Sequence, residues 1–158
     1  MKIKTTIKLI FSHLAVAFFS FALGIYMLPI LVAPASLSTE EIQEKYKGIR
    51  YSTEFTRQIR GSDALHWGEG NVSIGDKYII FIGKLAPGPD YKVYLSPKFI
   101  DTEANFKRLK HTMIKVGEVD TFKNFVVEFT DDINIDKFTT IVIWCETFGE
   151  FITAASYR

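Results

Sequence analysis

The hydrophobic positions of the chain follow two different patterns, one near its start and one over the rest. Leu9–Val32 is apolar except for Ser12, His13, Ser20 and Tyr26. As a helix, a run of this length would extend about 36 Å and would cross the hydrocarbon core of a bilayer, which is about 30 Å thick. The pattern therefore predicts one transmembrane helix over residues 9–32.

The charges on either side of this segment predict its orientation. Lys2, Lys4 and Lys8 precede it, whereas three glutamates within residues 40–44 follow it. By the positive-inside rule, residues 1–8 lie in the cytoplasm, and the C-terminal domain is extracytoplasmic. We therefore predict a single-pass protein of the cell membrane.

A cleaved signal peptide is the alternative for the same segment. Ala33-Pro34-Ala35 has the small-x-small form of a cleavage site, so that cleavage would follow Ala35. Signal peptides usually have an apolar region of about 7–15 residues, and the run here is much longer. Its length favours an uncleaved signal anchor.

Residues 33–57 are predicted to join the membrane segment to a folded domain at 58–158. Ser38 and Glu41 have the spacing of a capping box, which predicts a short juxtamembrane helix to about Lys47. Gly48 would end this helix, because glycine readily adopts the left-handed conformation found after helices.

Beyond residue 35 the choice of side chains favours strands over helices. Ile, Val and Thr together number 32 there, and Ala and Leu together number 10. β-Branched side chains fit a pleated sheet better than a helix. Gly75-Asp76 lies between two apolar segments and predicts a hairpin turn. The predicted strands are Val72–Ile74, Lys77–Ile82, Tyr91–Leu95, Met113–Val119, Phe122–Phe129, Thr139–Cys145 and Phe151–Ser156.

Two segments, Tyr78–Ile82 and Ile141–Trp144, are apolar on both faces and are predicted to be central strands that are covered on both sides. One helix is predicted at Thr102–Lys110, with Asp101 as its cap. Short strands with turn residues at this spacing predict an all-β fold. We expect a β-sandwich of seven or eight mainly antiparallel strands, preceded by one N-terminal transmembrane helix.

Composition and charge exclude several classes of function. Residues 36–158 contain 16 Lys and Arg against 18 Asp and Glu, so the domain lacks the positive charge of a nucleic-acid-binding protein. A single cysteine excludes an internal disulfide. No metal site is predicted, because His66, His111 and Cys145 are isolated in the sequence.

Cys145 is the candidate redox residue. Strand alternation places it on the same face as Ile141 and Ile143, where it would be a small apolar side chain in the core. A reactive thiol would instead need some exposure and a positive neighbour, and the adjacent Glu146 is negative. An unpaired thiol outside the cytoplasm is nevertheless unusual. Both interpretations stay open from the residues alone.

His66 is the candidate cofactor-binding residue. It alternates with Leu65 and Trp67, so we expect it to face solvent or the edge of a sheet. The sequence shows no partner for it.

Three segments resemble the DM-thirteen domain family over most of residues 58–157. They are Gly61–Val72, Leu85–Leu95 and Ile141–Ala155, and residues 125–130 depart from the family pattern. Members often follow a signal or membrane segment, and some neighbour DOMON domains. The resemblance implies a β-sandwich with an electron-transfer role centred on Cys145.

We therefore expect a membrane-anchored extracytoplasmic domain with an electron-transfer or redox role through a single cysteine. Its partner would be an unidentified redox or surface protein, and the sequence specifies no cofactor and no enzyme reaction. The alternative is a non-catalytic binding module at the cell surface, whose loops at Gly61–Gly70 and Ala86–Asp90 contact a partner. An accessible Cys145 thiol would favour the redox role, and a sealed one would favour binding.

Overall fold

The structure, a computed structural model, describes residues 2–38, 42, 48–130 and 132–158. It divides into two units, one that ends at Val32 and one that spans Ala33–Arg158. The first unit is helix α1 (Lys2–Val32). Ile3–Val32 is long and apolar enough to span a membrane, as a signal sequence near an N-terminus also is. The helix begins well before Leu9, so Lys4 and Lys8 lie on its first turns.

The second unit is a β-sandwich, as the sequence predicts. The eight described strands are β1 (Ile49–Phe55), β2 (Gly68–Gly75), β3 (Tyr78–Leu85), β4 (Tyr91–Ser96), β5 (Ile114–Val119), β6 (Phe125–Glu128), β7 (Thr140–Cys145) and β8 (Glu150–Ser156). They pair antiparallel in two four-stranded sheets, the first with the order β1-β2-β3-β6 and the second with the order β5-β4-β7-β8. A short helix α2 (Glu103–Leu109) follows β4.

The predicted hairpin is formed by β2 and β3, with Ile74 opposite Ile79. Further along the same pair, Gly70 lies opposite Gly83. A Cβ on Gly83 would lie 2.2 Å from the carbonyl oxygen of Glu69, and Gly70 has a φ of 140°. Only glycine allows two backbones to approach so closely in this conformation.

The main core lies between the sheets and contains a row of aromatic rings. Phe81 is its middle member, with ring centroids 5.6 Å from Phe55 and 4.9 Å from Phe125. Strands β3 and β7 each have a neighbour on both sides, which confirms the two predicted central strands. Every residue of β7 is buried, because the sandwich core covers one face and α2 contributes to the cover of the other.

The sequence predicts Asp101 as the cap of helix α2, but the residue that caps it is Thr102. The Thr102 hydroxyl accepts a hydrogen bond from the backbone N–H of Asn105 at 3.3 Å. Asp101 instead accepts from the Asn105 side chain at 3.0 Å. Phe106, the buried residue of this helix, packs onto the second sheet.

The first strand, Ile49–Phe55, lies within the range that the sequence indicated as a linker. Its residues alternate between half-buried and exposed up to the buried Phe55, as expected of an edge strand. Earlier in that range, the hydroxyl groups of Ser36 and Thr121 are hydrogen-bonded at 2.9 Å. Most of the predicted juxtamembrane helix falls on residues 39–41 and 43–47, outside the described residues. Of its described residues, Ile42 donates its backbone N–H to the carbonyl oxygen of Ser38 at 3.2 Å. Gly48, predicted to end the helix, has a φ of 95°.

Candidate functional site around Cys145

Cys145 is the last residue of β7 and is 2% exposed. It lies opposite Tyr91 on one neighbouring strand and Glu150 on the other. Its side chain belongs to the core between the sheets together with Ile141 and Ile143, which confirms the face that alternation predicts. The thiol is sealed from solvent, although it sits at the end of a strand.

The loop Ala86–Asp90, here called the proline loop, covers the sulfur. Sγ of Cys145 donates a hydrogen bond to the carbonyl oxygen of Pro89 at 2.9 Å. The loop packs tightly on the neighbouring ring, since a Cβ on Gly88 would lie 2.4 Å from the hydroxyl oxygen of Tyr91. The proline loop is therefore in direct contact with the sulfur.

Hydrogen bonds hold the proline loop at both of its ends. The Tyr91 hydroxyl donates to the carbonyl oxygen of Ala86 at 2.9 Å. At the other end, the backbone N–H of Glu146 donates to the carbonyl oxygen of Asp90 at 3.1 Å. The Thr147 hydroxyl donates to the carboxylate of Asp90 at 3.2 Å. The turn that follows Cys145 and the loop that covers it are thus joined directly.

Burial is the largest influence on the pKa of the Cys145 thiol, and it raises this pKa. Hydrogen bonds from the backbone N–H groups of Phe148 and Thr147 lower it in part, while the charges of Asp90 and Glu150 raise it further. Because the net shift is upward, the sulfur is a neutral thiol near pH 7.

A group of aromatic and charged side chains, here called the outer cluster, lies on the face of the second sheet that points away from the sandwich core. Its members are Tyr94, Phe106, Lys110, Trp144 and Glu146. The Phe106 ring stacks on Trp144, with centroids 3.9 Å apart and planes 10° apart. It meets Tyr94 edge to face, with centroids 5.2 Å apart. The aromatic part of the cluster is closed against solvent by α2.

Glu146 is the centre of the polar contacts of the outer cluster. The Tyr94 hydroxyl donates to its carboxylate, and the Lys110 ammonium lies 2.7 Å from each carboxylate oxygen. Burial pushes the pKa of Glu146 upward, but the hydrogen bonds from Lys110 and Tyr94 outweigh burial and lower it overall. Burial and the bond to Glu146 raise the pKa of Tyr94, so the phenol keeps its proton at physiological pH.

A family model described as "Electron transfer DM13" matches residues 55–157. The chain belongs to the DM13 family. The match begins at the last residue of β1 and includes the other seven described strands and Cys145. It confirms the family that the sequence motifs resemble. No curated protein and no solved structure matches the chain.

In this DM13 domain His66 lies in the loop before β2 and is partly exposed. Its Nδ1 atom is 3.0 Å from the Asp63 carboxylate, which also accepts hydrogen bonds from the backbone N–H groups of Leu65 and His66. The hydrogen bond to His66 is the largest cause of the lowered pKa of Asp63. The sequence shows no partner for His66, and the structure supplies Asp63.

The two candidate residues of the DM13 domain, His66 and Cys145, do not form one site. Where residues are described, no hydrogen bond or ion pair connects His66 with Cys145, and no three His, Cys, Asp or Glu side chains are grouped to hold a metal ion. Their loops do meet, because the backbone N–H of Ala86 donates to the carbonyl oxygen of Trp67 at 2.9 Å. The segment that departs from the family pattern contains β6, which lies in the other sheet from β7.

Sequence reasoning missed the outer cluster. Tyr94 and Glu146 are far apart in the chain, and no spacing rule relates them. The available signal was the position of Glu146 directly after an entirely apolar strand, where a carboxylate needs a hydrogen-bond donor or a cation if it is half-buried.

Proposed function

We propose that this chain is a membrane-anchored, extracytoplasmic electron-transfer domain whose redox group is Cys145. The description of the DM13 family supports electron transfer. Helix α1 supports a membrane anchor, and the lysines at its N-terminal end favour a cytoplasmic N-terminus. The partner is an extracytoplasmic redox protein that presents a disulfide.

The match to an electron-transfer family carries the proposal, because the burial of the thiol by itself favours binding. A buried thiol can take part in exchange only if the loop next to it moves. Sγ of Cys145 rests on the Pro89 carbonyl, and the exposed residues Thr147 and Phe148 follow within the same turn. Movement of the proline loop would bring the sulfur to the surface without separating the two sheets. The N–H groups of Thr147 and Phe148 would then stabilise the thiolate that this movement exposes.

The proposed step is a thiol–disulfide exchange. The Cys145 thiol loses its proton to water, and the thiolate attacks one sulfur of the partner disulfide. A bond forms between Sγ and that sulfur, the partner S–S bond breaks, and the departing thiolate takes up a proton. The Cys145 sulfur is thereby oxidised to the disulfide level in a mixed disulfide. The released partner sulfur is reduced to a thiol, and the other partner sulfur stays at the disulfide level in the adduct.

Exchange with glutathione disulfide tests this role on the full chain in detergent micelles. We expect wild type to form a mixed disulfide, detected by mass spectrometry, while circular dichroism keeps the native β signal. A dithiol should reverse the modification, and Cys145→Ala should remain unmodified. If the adduct forms only as the β signal is lost, Cys145 is an inert core residue and the redox role is wrong.

Protease treatment of spheroplasts or intact cells tests the location. We expect an added protease to remove residues of the β-sandwich and to leave α1 in the membrane fraction, where an N-terminal tag stays protected. Release of a soluble product that begins at Ser36 would contradict the anchor. Protection of the whole domain from protease would contradict the orientation.

The burial of the thiol specifically favours a second candidate, a binding module. The loop that holds His66 meets the proline loop through the bond between Trp67 and Ala86, and Leu65 at its tip is 60% exposed. The loop that holds His66 and the proline loop together form one surface, to which loops connected to both sheets contribute. A binding role predicts that Leu65→Asp weakens association with a surface partner in intact cells, whereas Cys145→Ala leaves it unchanged.

A further inference from the structure

The outer cluster contains a buried phenol that is hydrogen-bonded to a carboxylate, and the thiol chemistry proposed above makes no use of it. Tyr94 is 6% exposed, and its hydroxyl donates to Glu146. Such a pair can release an electron and a proton together, because the base that receives the proton is already in contact with the phenol.

We propose that Tyr94 is a second redox residue of the domain, which gives one electron to an oxidant while its phenol proton passes to Glu146. The oxidant is a one-electron acceptor of the metal-complex class that stays at the protein surface. This inference deepens the proposed electron-transfer function and rests on it.

The step balances in charge and atoms. The O–H bond of Tyr94 breaks, an O–H bond forms at the Glu146 carboxylate, and one electron leaves the phenol ring for the metal complex, which is reduced by one unit. Tyr94 becomes a neutral tyrosyl radical.

The surroundings of the ring require that the proton leave with the electron. The Lys110 ammonium lies 5.6 Å from the centroid of the Tyr94 ring, so a positively charged radical would be repelled. Burial in addition disfavours any charged form of the ring. Transfer of the proton to Glu146 keeps the oxidised ring neutral.

The outer cluster also shields the radical and connects it to β7. Phe106 contacts the Tyr94 ring at its edge and stacks on Trp144, which precedes Cys145 in the chain. A buried radical is protected from solutes that would quench an exposed one. The two redox groups would then occupy opposite faces of the second sheet, Tyr94 on β4 and Cys145 on β7.

Tyr157 provides a matched comparison within the same domain. It is also a buried tyrosine, at 8% exposure, but its hydroxyl donates at 2.9 Å to the backbone carbonyl of Ile135. A carbonyl oxygen accepts a hydrogen bond but is far too weak a base to keep a proton. The inference therefore assigns the stable radical to Tyr94 and not to Tyr157.

Photo-oxidation of the full chain in detergent micelles tests the inference in a Cys145→Ala background. A laser flash generates ruthenium(III) tris-bipyridine, and electron paramagnetic resonance and transient absorption follow tyrosyl radicals. We expect a long-lived radical in Cys145→Ala and after the added change Tyr157→Phe. Added Tyr94→Phe should abolish it. A long-lived radical that survives Tyr94→Phe would overturn the assignment.

The role of Glu146 is tested in the same background. Glu146→Gln keeps an oxygen that can accept the hydrogen bond but removes the base, so radical formation should slow at least about tenfold. Lys110→Met keeps the base and removes the cation near the ring, so formation should become faster. Unchanged rates in both variants would overturn the transfer of the proton to Glu146.

The two proposals fail separately. Every chain in the radical experiment lacks Cys145, so loss of the radical leaves the glutathione exchange of wild type as it was. Failure of that exchange, in turn, does not remove a radical from Tyr94.

Discussion

Cys145 in the folded chain should react with a neutral maleimide about a thousandfold more slowly than in the unfolded chain, because the thiol is buried and its pKa is raised. The measurement is the rate of label incorporation at pH 7, followed by mass spectrometry with and without denaturant. The chain has one cysteine, so all of the label reports on this site.

The dependence of this rate on denaturant should distinguish a gated thiol from an inert one. If movement of the proline loop alone exposes Sγ, little additional surface opens, and low denaturant concentrations should hardly change the rate. A labelling rate that rises in parallel with global unfolding would instead show that the core must unfold before the thiol reacts. That result would contradict the gate and with it the redox role of Cys145.

A pair of proline variants should locate the gate. Pro89→Gly increases the freedom of the proline loop, so we expect labelling of the folded chain to become about tenfold faster. Pro97→Gly makes the same change beyond Ser96, at the far end of β4 from this loop, and should leave the labelling rate unchanged. Equal acceleration by both variants would mean that general destabilisation exposes the thiol.

Phe106→Ala should lower the free energy of unfolding by about 3–5 kcal/mol, the range for removal of a fully buried phenylalanine ring. The ring fills the space between Trp144 and Tyr94, and it is the buried residue of α2. Its loss would therefore leave a cavity and release the helix from the sheet. Chemical denaturation followed by tryptophan fluorescence measures the change and also reports on Trp144.

Phe99→Ala is the matched control for this prediction. Phe99 lies in the loop between β4 and α2 and is 52% exposed. Its truncation should change the free energy of unfolding by no more than about 0.5 kcal/mol. Similar losses in the two variants would show that α2 is not held to the sheet by Phe106.

The fold could be predicted largely because its strands carry strong local patterns. Ile141–Trp144 is apolar on both faces, and a strand with that pattern has to be central and covered on both sides. Gly75-Asp76 marks a turn whose geometry few other residues allow. Alternation alone was enough to place Cys145 among Ile141 and Ile143 in the core.

The features that the sequence did not predict depend on contacts between residues that are distant in the chain, and local patterns do not encode such contacts. Ile49–Phe55 has half-buried positions that alternate with polar ones, so it does not stand out from a linker until β2 pairs with it. The proline loop is visible in the sequence, but its place over Cys145 is set by the pairing of β4 with β7. The partnership of Tyr94 with Glu146 arises from the same pairing.

The order of the strands also determines when this domain can form. Strand β3 pairs with β6, β4 pairs with β7, and the hydroxyl of Thr53 in β1 donates to the carbonyl oxygen of Ser156 at 2.7 Å. Contacts so distant in sequence form slowly, because long stretches of chain must be ordered before they are made. The sandwich can therefore close only after the segment up to Ser156 has emerged during synthesis. Until then the Cys145 side chain lacks the cover that leaves it 2% exposed in the folded domain, and closure of the last strands buries it.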